Sequence, residues 1–159
     1  SNPHTQTKQE IDKSGTLEER LAVYLQSMMY HSNQIDLLLS KGFHVVKSRY
    51  LDDIKAHFAH LGLSPEKIRE LESKFPVIQP DLKVILLLEE TERRKRINSR
   101  GVLNNRDLEE KTPNTRLGFF EDYLLNATHG APPNSILHID TALDVNKVVK
   151  KIIDNLMEL

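Results

Sequence analysis

Pro80-Asp81-Leu82-Lys83-Val84-Ile85-Leu86-Leu87-Leu88 is the stretch on which the fold turns. Residues 84–88 are continuously apolar, the pattern of a strand covered on both faces. Pro80-Asp81 leads into it as a turn. Working toward the C-terminus, residues 91–100 read as a basic helix stopped by Gly101, and residues 102–112 as a polar loop or flap. Leu117, Phe120, Leu124 and Ala127 mark an amphipathic helix, and Gly130-Ala131-Pro132-Pro133-Asn134 is a loop. Residues 135–139 read as a strand. Asp144 then caps a last helix, with Val145, Val148, Val149, Ile152 and Leu156 as its expected buried stripe.

Toward the N-terminus, Phe43-His44-Val45-Val46 reads as a further short strand after Gly42. A helix is expected over residues 51–61, interrupted by Gly62, and Ser64-Pro65-Glu66 opens another with serine as cap and proline in the first turn. Thr16 and Glu19 form a capping-box pattern. They head a long helix over residues 17–41 that keeps Leu21, Leu25, Met28, Ile35 and Leu39 near one face. The first ten residues are polar and aperiodic and read as a loop. Three strands separated by helices imply parallel crossovers and an α/β layered fold.

The 159 residues fit one domain, and 38% apolar residues against 28% charged mark a globular chain. The absence of cysteine excludes a disulfide framework, a thiolate metal site and a cysteine nucleophile. A net charge of −1 gives no overall pull toward nucleic acid or an anionic membrane. No apolar run approaches the roughly 20 residues of a membrane span. Together these features point to the cytoplasm.

Several residues carry possible chemistry. Arg49 follows a predicted strand directly, at the edge where ligands bind in open parallel sheets. The run Arg93, Arg94, Lys95, Arg96 and Arg100 leads to a flap holding Arg106, with Glu89, Glu90 and Glu92 close by. Arg96 and Arg100 are four apart and share a face; Arg93 and Arg94 read as solvent-facing. His57 and His60 are three apart on a helix, with no third metal ligand at fitting spacing. Phe119, Phe120, Tyr123 and Leu124 read as core.

In their order, these residues resemble the thymidylate kinase family of P-loop nucleoside monophosphate kinases. The resemblance rests on Val45-Val46-Lys47-Ser48-Arg49-Tyr50, on Pro80-Asp81-Leu82 before an apolar strand, and on Arg96 and Arg100-Gly101 before a flap with Arg106. Phe119-Phe120-Glu121 with Tyr123, and Ile139-Asp140-Thr141 before the last helix, complete it. It runs from about Thr16 onward. It implies a three-layer, parallel-sheet P-loop kinase fold and phosphoryl transfer from ATP, with Mg2+, to a nucleoside monophosphate by a homodimer. It also implies that Arg49 binds the acceptor phosphate and that Tyr24 and Tyr50 line the acceptor site. Arg96, Arg100 and Arg106 would close over the transferring phosphates, and Asp140, Thr141 and Ala142 would approach the adenine.

The chain departs from the family in three ways. No Gly-Lys-Ser/Thr phosphate loop is present. The family's first strand, phosphate loop, first helix and second strand would align ahead of Ser1, so a piece of a longer protein is expected. The alternative is a non-catalytic nucleotide-binding or interaction module that has lost the loop. Serine stands at position 48 where the family has an aspartate, with Asp52 and Asp53 as candidate substitutes. Ser27 or Met28 occupies the place of a base-reading arginine, which leaves the acceptor base open.

Overall fold

The computed structural model describes residues 4–99, 116–127 and 135–157. The chain divides into two compact units, Ser1–Gln79 and Pro80–Leu159. Its elements in order are α1 Thr5–Ser14, α2 Leu17–Leu39, α3 Leu51–His60, α4 Pro65–Glu72, β1 Lys83–Leu87, α5 Glu90–Ser99, α6 Arg116–Ala127, β2 Ile136–Asp140 and α7 Val145–Leu156. The described chain is thus mixed α/β and mostly helical, with one small parallel sheet.

The first unit is built on α2. Thr16 Oγ1 accepts from the Glu19 amide at 3.3 Å and Glu19 returns the bond to the Thr16 amide at 2.8 Å, so the capping box is formed. Its far end closes on Gly42 at φ 81°, with the Phe43 amide reaching the Leu38 carbonyl at 3.1 Å and the Gly42 amide that of Leu39 at 2.9 Å. Gly62, at φ 98°, closes α3 in the same way, with Leu63 bonded to Phe58 and Gly62 to Ala59. These left-handed positions satisfy two orphan carbonyls each and favour glycine. Between the helices Leu21, Leu25, Leu51, Phe58, Ile68 and Leu71 form the core. Ser32 and Tyr50 secure the segment that follows α4: the Ile78 amide donates to Ser32 Oγ at 2.7 Å, and the Tyr50 hydroxyl donates to the Ile78 carbonyl at 3.1 Å.

Three expectations for this unit are corrected. The polar N-terminus forms α1, which packs on α2. Asp12 accounts for this by accepting from Arg20 Nε at 3.2 Å and from the Tyr24 hydroxyl at 2.8 Å. Residues 43–46 are not a strand: Phe43 is 59% and Val46 92% exposed, and β-propensity is expressed only where a ladder and a half-buried face are available. The expected α2 stripe is buried at Leu21, Leu25 and Met28 but fades toward Leu39, which is exposed.

In the second unit β1 and β2 pair in parallel, Lys83 opposite Ile136 through Leu87 opposite Asp140. Ile85 and Ile139 point into the interior. Leu86 is 55% exposed, so the apolar run of β1 is not covered on both faces. The two strands sit one residue away from the spans their sequence suggested. Glu89 caps α5, its carboxylate accepting from the Thr91 amide at 3.0 Å, the Glu92 amide at 3.3 Å and the Thr91 hydroxyl. Asp144 caps α7 through the Asn146 amide at 2.9 Å. The stripe of α7 is a further correction: Val148 and Ile152 are half-buried, while Val145, Val149 and Leu156 are exposed. Amphipathic spacing fixes which face is apolar, and coverage requires a neighbouring surface.

Candidate functional site

The second unit assembles its polar groups at the carboxyl ends of the two parallel strands. As β2 ends, the Thr141 amide donates to the Leu87 carbonyl at 2.8 Å and the Thr141 hydroxyl donates to the same oxygen at 2.9 Å. The Ala142 amide turns back onto Asp140 Oδ1 at 2.8 Å, which fixes the tight turn between β2 and α7. Arg96 reaches across from α5, donating from Nη2 to the Thr141 carbonyl at 2.8 Å. Its Nε lies 3.6 Å from Glu92, and the side chain is 45% exposed. One residue therefore joins the end of β1, the turn after β2 and the basic helix, all at the sheet edge where open α/β folds place ligands.

The other basic residues of α5 do different work. Arg93 is only 15% exposed and pairs with Glu90 and, at 3.4 Å, with Glu121 of α6. It is therefore not the solvent-facing group that its sequence position implied, but ties α5 to α6. Arg94 pairs with Glu90 at 2.6 Å. Phe119 is 40% exposed rather than core, stacked on Tyr123 with centroids 6.2 Å apart. Arg100, Arg106 and the 102–112 flap lie outside the described residues, as does the 130–134 loop.

The first unit holds the remaining candidates. Arg49 is exposed at φ 58°, a left-handed backbone that costs a non-glycine residue about 1–2 kcal/mol. It stands two residues before α3. Tyr50 is half-buried against the core, and its hydroxyl is engaged by Ile78. Asp52 lies 3.5 Å from Lys55, which also pairs with Glu72 at 3.2 Å. Tyr24 packs edge-on to Phe58 at 5.6 Å, and the Lys8 ammonium sits 4.7 Å from its ring centroid. Residues 1–10 read as loop from the sequence alone, so the contact with Lys8 is new with the structure; the helix formers ahead of Gly15 are the one local signal for α1.

No protein-family model matches the chain, and no curated protein matches it. No helix among the described residues is long and apolar enough to cross a membrane.

Proposed function

We propose that the chain is a nucleotide-handling protein of the thymidylate kinase kind, transferring phosphate from ATP to a nucleoside monophosphate, dTMP or a related nucleotide. The observation that supports this best is the Arg96–Thr141 hydrogen bond, which sets a guanidinium at the carboxyl edge of a parallel sheet. Phosphoryl transfer spreads charge over equatorial oxygens, and a pre-positioned arginine stabilises that charge without reorganising. In this reading Asp140, Thr141 and Ala142 present backbone groups to the adenine, and Arg49 grips the acceptor phosphate through its planar fork. Tyr24 offers its ring to the base and Tyr50 orders the backbone beside Arg49. A P-loop kinase fold, a homodimer and a cytoplasmic location belong to the same proposal.

Among the described residues no three His, Cys, Asp or Glu side chains gather as a metal site. Mg2+ would arrive on the ATP phosphates, which with water supply most of its usual ligands. The roles of Arg49 and Arg96 do not depend on it.

Binding without catalysis is the second reading. Ser48 brings no carboxylate to the segment that ends at Arg49, and Asp52 faces Lys55. One experiment separates the two. Amide resonances of Asp140, Thr141 and Ala142 are followed during titration with ATP, and ADP formation is then measured with a panel of nucleoside monophosphates. Shifts at these residues that R96A weakens, together with acceptor-dependent ADP, support the kinase. Shifts alone support the binding module. Unshifted resonances with no ADP remove both.

A further inference from the structure

The far end of α2 stands out from the core of the first unit. From Asp36 to Arg49 every residue is exposed except Val45, which is half-buried. Helix α2 ends on Leu37, Leu38 and Leu39, all three exposed. The turn at Gly42 then folds the chain back, and the Phe43 amide donates to the Leu38 carbonyl at 3.1 Å. A helix stop of this kind sets those two positions side by side. Val46 follows, almost wholly exposed. The same stretch is basic. Lys41, Lys47 and Arg49 lie between Asp36 and Asp52 with no acid among them, and Asp52 faces Lys55 at 3.5 Å. Lys47 donates to the Ser48 carbonyl at 3.4 Å, a long and exposed bond that engages its charge weakly.

We propose that this end of the first unit docks on an anionic lipid surface. Leu38, Phe43 and Val46 enter the boundary of the acyl chains, and Lys41 and Lys47 meet the headgroups. Large apolar side chains exposed together in one short stretch mark a surface that something covers. The charges around them say what. A second copy of the same end would bring cation against cation, which disfavours self-association. An acidic partner helix needs an apolar groove to lie in, and a projecting run exposed at nearly every residue offers no walls. A bilayer needs no groove. It accepts a convex tip, buries the apolar groups and attracts lysines whose long stems keep the ammonium at headgroup level. The chain as a whole carries a net charge of −1. Screening confines the field to about 10 Å at 0.1 M salt, so the local excess of cations decides what this end meets. The inference uses neither ATP nor Arg96 and stands whether or not the chain transfers phosphate.

The test places a fluorophore at the tip. The chain has no tryptophan, so F43W and V46W, each at an exposed position, report on that surface alone, with circular dichroism expected to be unchanged. Their emission is expected to move to shorter wavelength with vesicles of phosphatidylcholine and phosphatidylserine, and to stay put with phosphatidylcholine alone. K41Q K47Q is expected to weaken partition about 25-fold, roughly fivefold for each lysine. Cosedimentation of the unaltered chain with the two kinds of vesicle checks the same preference without a substitution. Emission unmoved by the mixed vesicles overturns the proposal, as does partition that K41Q K47Q leaves intact. A shift that appears with rising protein concentration alone assigns this end to a second copy. One produced by polyglutamate and not by vesicles assigns it to an acidic protein. Either result overturns the proposal as well.

Discussion

Thr141 donates both its amide N–H and its hydroxyl to one acceptor, the carbonyl of Leu87, at 2.8 and 2.9 Å. The amide bond continues the parallel ladder, while the hydroxyl adds a second clamp at the point where β2 gives way to its turn. T141V keeps the first and loses the second. Its expected cost is about 0.5–1.5 kcal/mol in denaturant unfolding. The backbone carbonyl that accepts from Arg96 is kept in this variant, so the loss is read in stability alone.

Ile78 is gripped by its own backbone groups, the amide by Ser32 and the carbonyl by Tyr50. S32A removes the acceptor of the part-buried Ile78 N–H, at an expected cost of about 0.5–1.5 kcal/mol. Y50F removes a donor from a carbonyl that retains other lone-pair directions and is expected to cost less. Thermal unfolding of the two variants gives the order directly; equal stability with the parent would show that the grip does not hold the segment.

Phe58 is fully buried and is the largest side chain in the core of the first unit, meeting Tyr24 edge-on. F58A opens a cavity between α2, α3 and α4 and is expected to destabilise the protein by about 3–5 kcal/mol, with F58L well below that. Chemical denaturation of both reports whether the loss tracks the volume removed.

Glu70 sits between Lys74 and Lys67, 2.8 Å from the first and 3.0 Å from the second, and their hydrogen bonds bring its carboxyl down from 4.5 to about 2. A carboxylate with a depressed folded value contributes stability that is fully present above pH 4.5 and is lost as the pH falls through about 2. Because the pair is exposed, added salt shrinks the contribution. Carboxyl titration by NMR is expected to show the low midpoint, rising in K74A. An unshifted midpoint in the parent protein would remove Glu70 from acid stability.

On α7, Val149 and Ile153 are 47% and 52% exposed and lie one turn apart on the same face. V149T and I153T are therefore expected to change stability by less than about 0.5 kcal/mol, the range of ordinary surface substitutions. A loss near that of a core truncation would show that this face is covered in solution.

What could be read in advance follows physical range. Helix ends are written locally, and Thr16 with Glu19, Ser64 with Pro65, Asp144, Gly42 and Gly62 all fall where the caps formed. The apolar runs of β1 and β2 were legible for the same reason. Residues 43–46 carry equal β-propensity but end exposed, because a strand exists only with a partner and propensity cannot name one. α1 is not legible locally because Asp12 fastens it to Arg20 and Tyr24, eight and twelve residues on, which no periodicity reveals. Of the candidate site, Arg96 was legible as one member of a basic run. That Arg93 rather than Arg96 is the one committed to holding α5 against α6 depends on Glu121, a residue 28 positions away.

The fastening of α1 also sets how this unit breathes. Its described ties, Asp12 to Arg20 and Tyr24 and Lys8 over the ring, are polar and partly wet, and salt weakens charge–charge attraction over about 10 Å at 0.1 M. The apolar cluster beneath is held by exclusion of water and does not feel that screening. Amide exchange should therefore resolve two rungs in one unit. The amides of α1 open first and more readily as salt rises, while those around Leu25 and Phe58 open only with the whole. Gly15 is the pivot: a methyl there would press to 2.6 Å from Ile11 Cγ1, so alanine would prise the junction apart and lower the first rung alone. The ionic composition around the protein then takes part in setting whether α1 is seated.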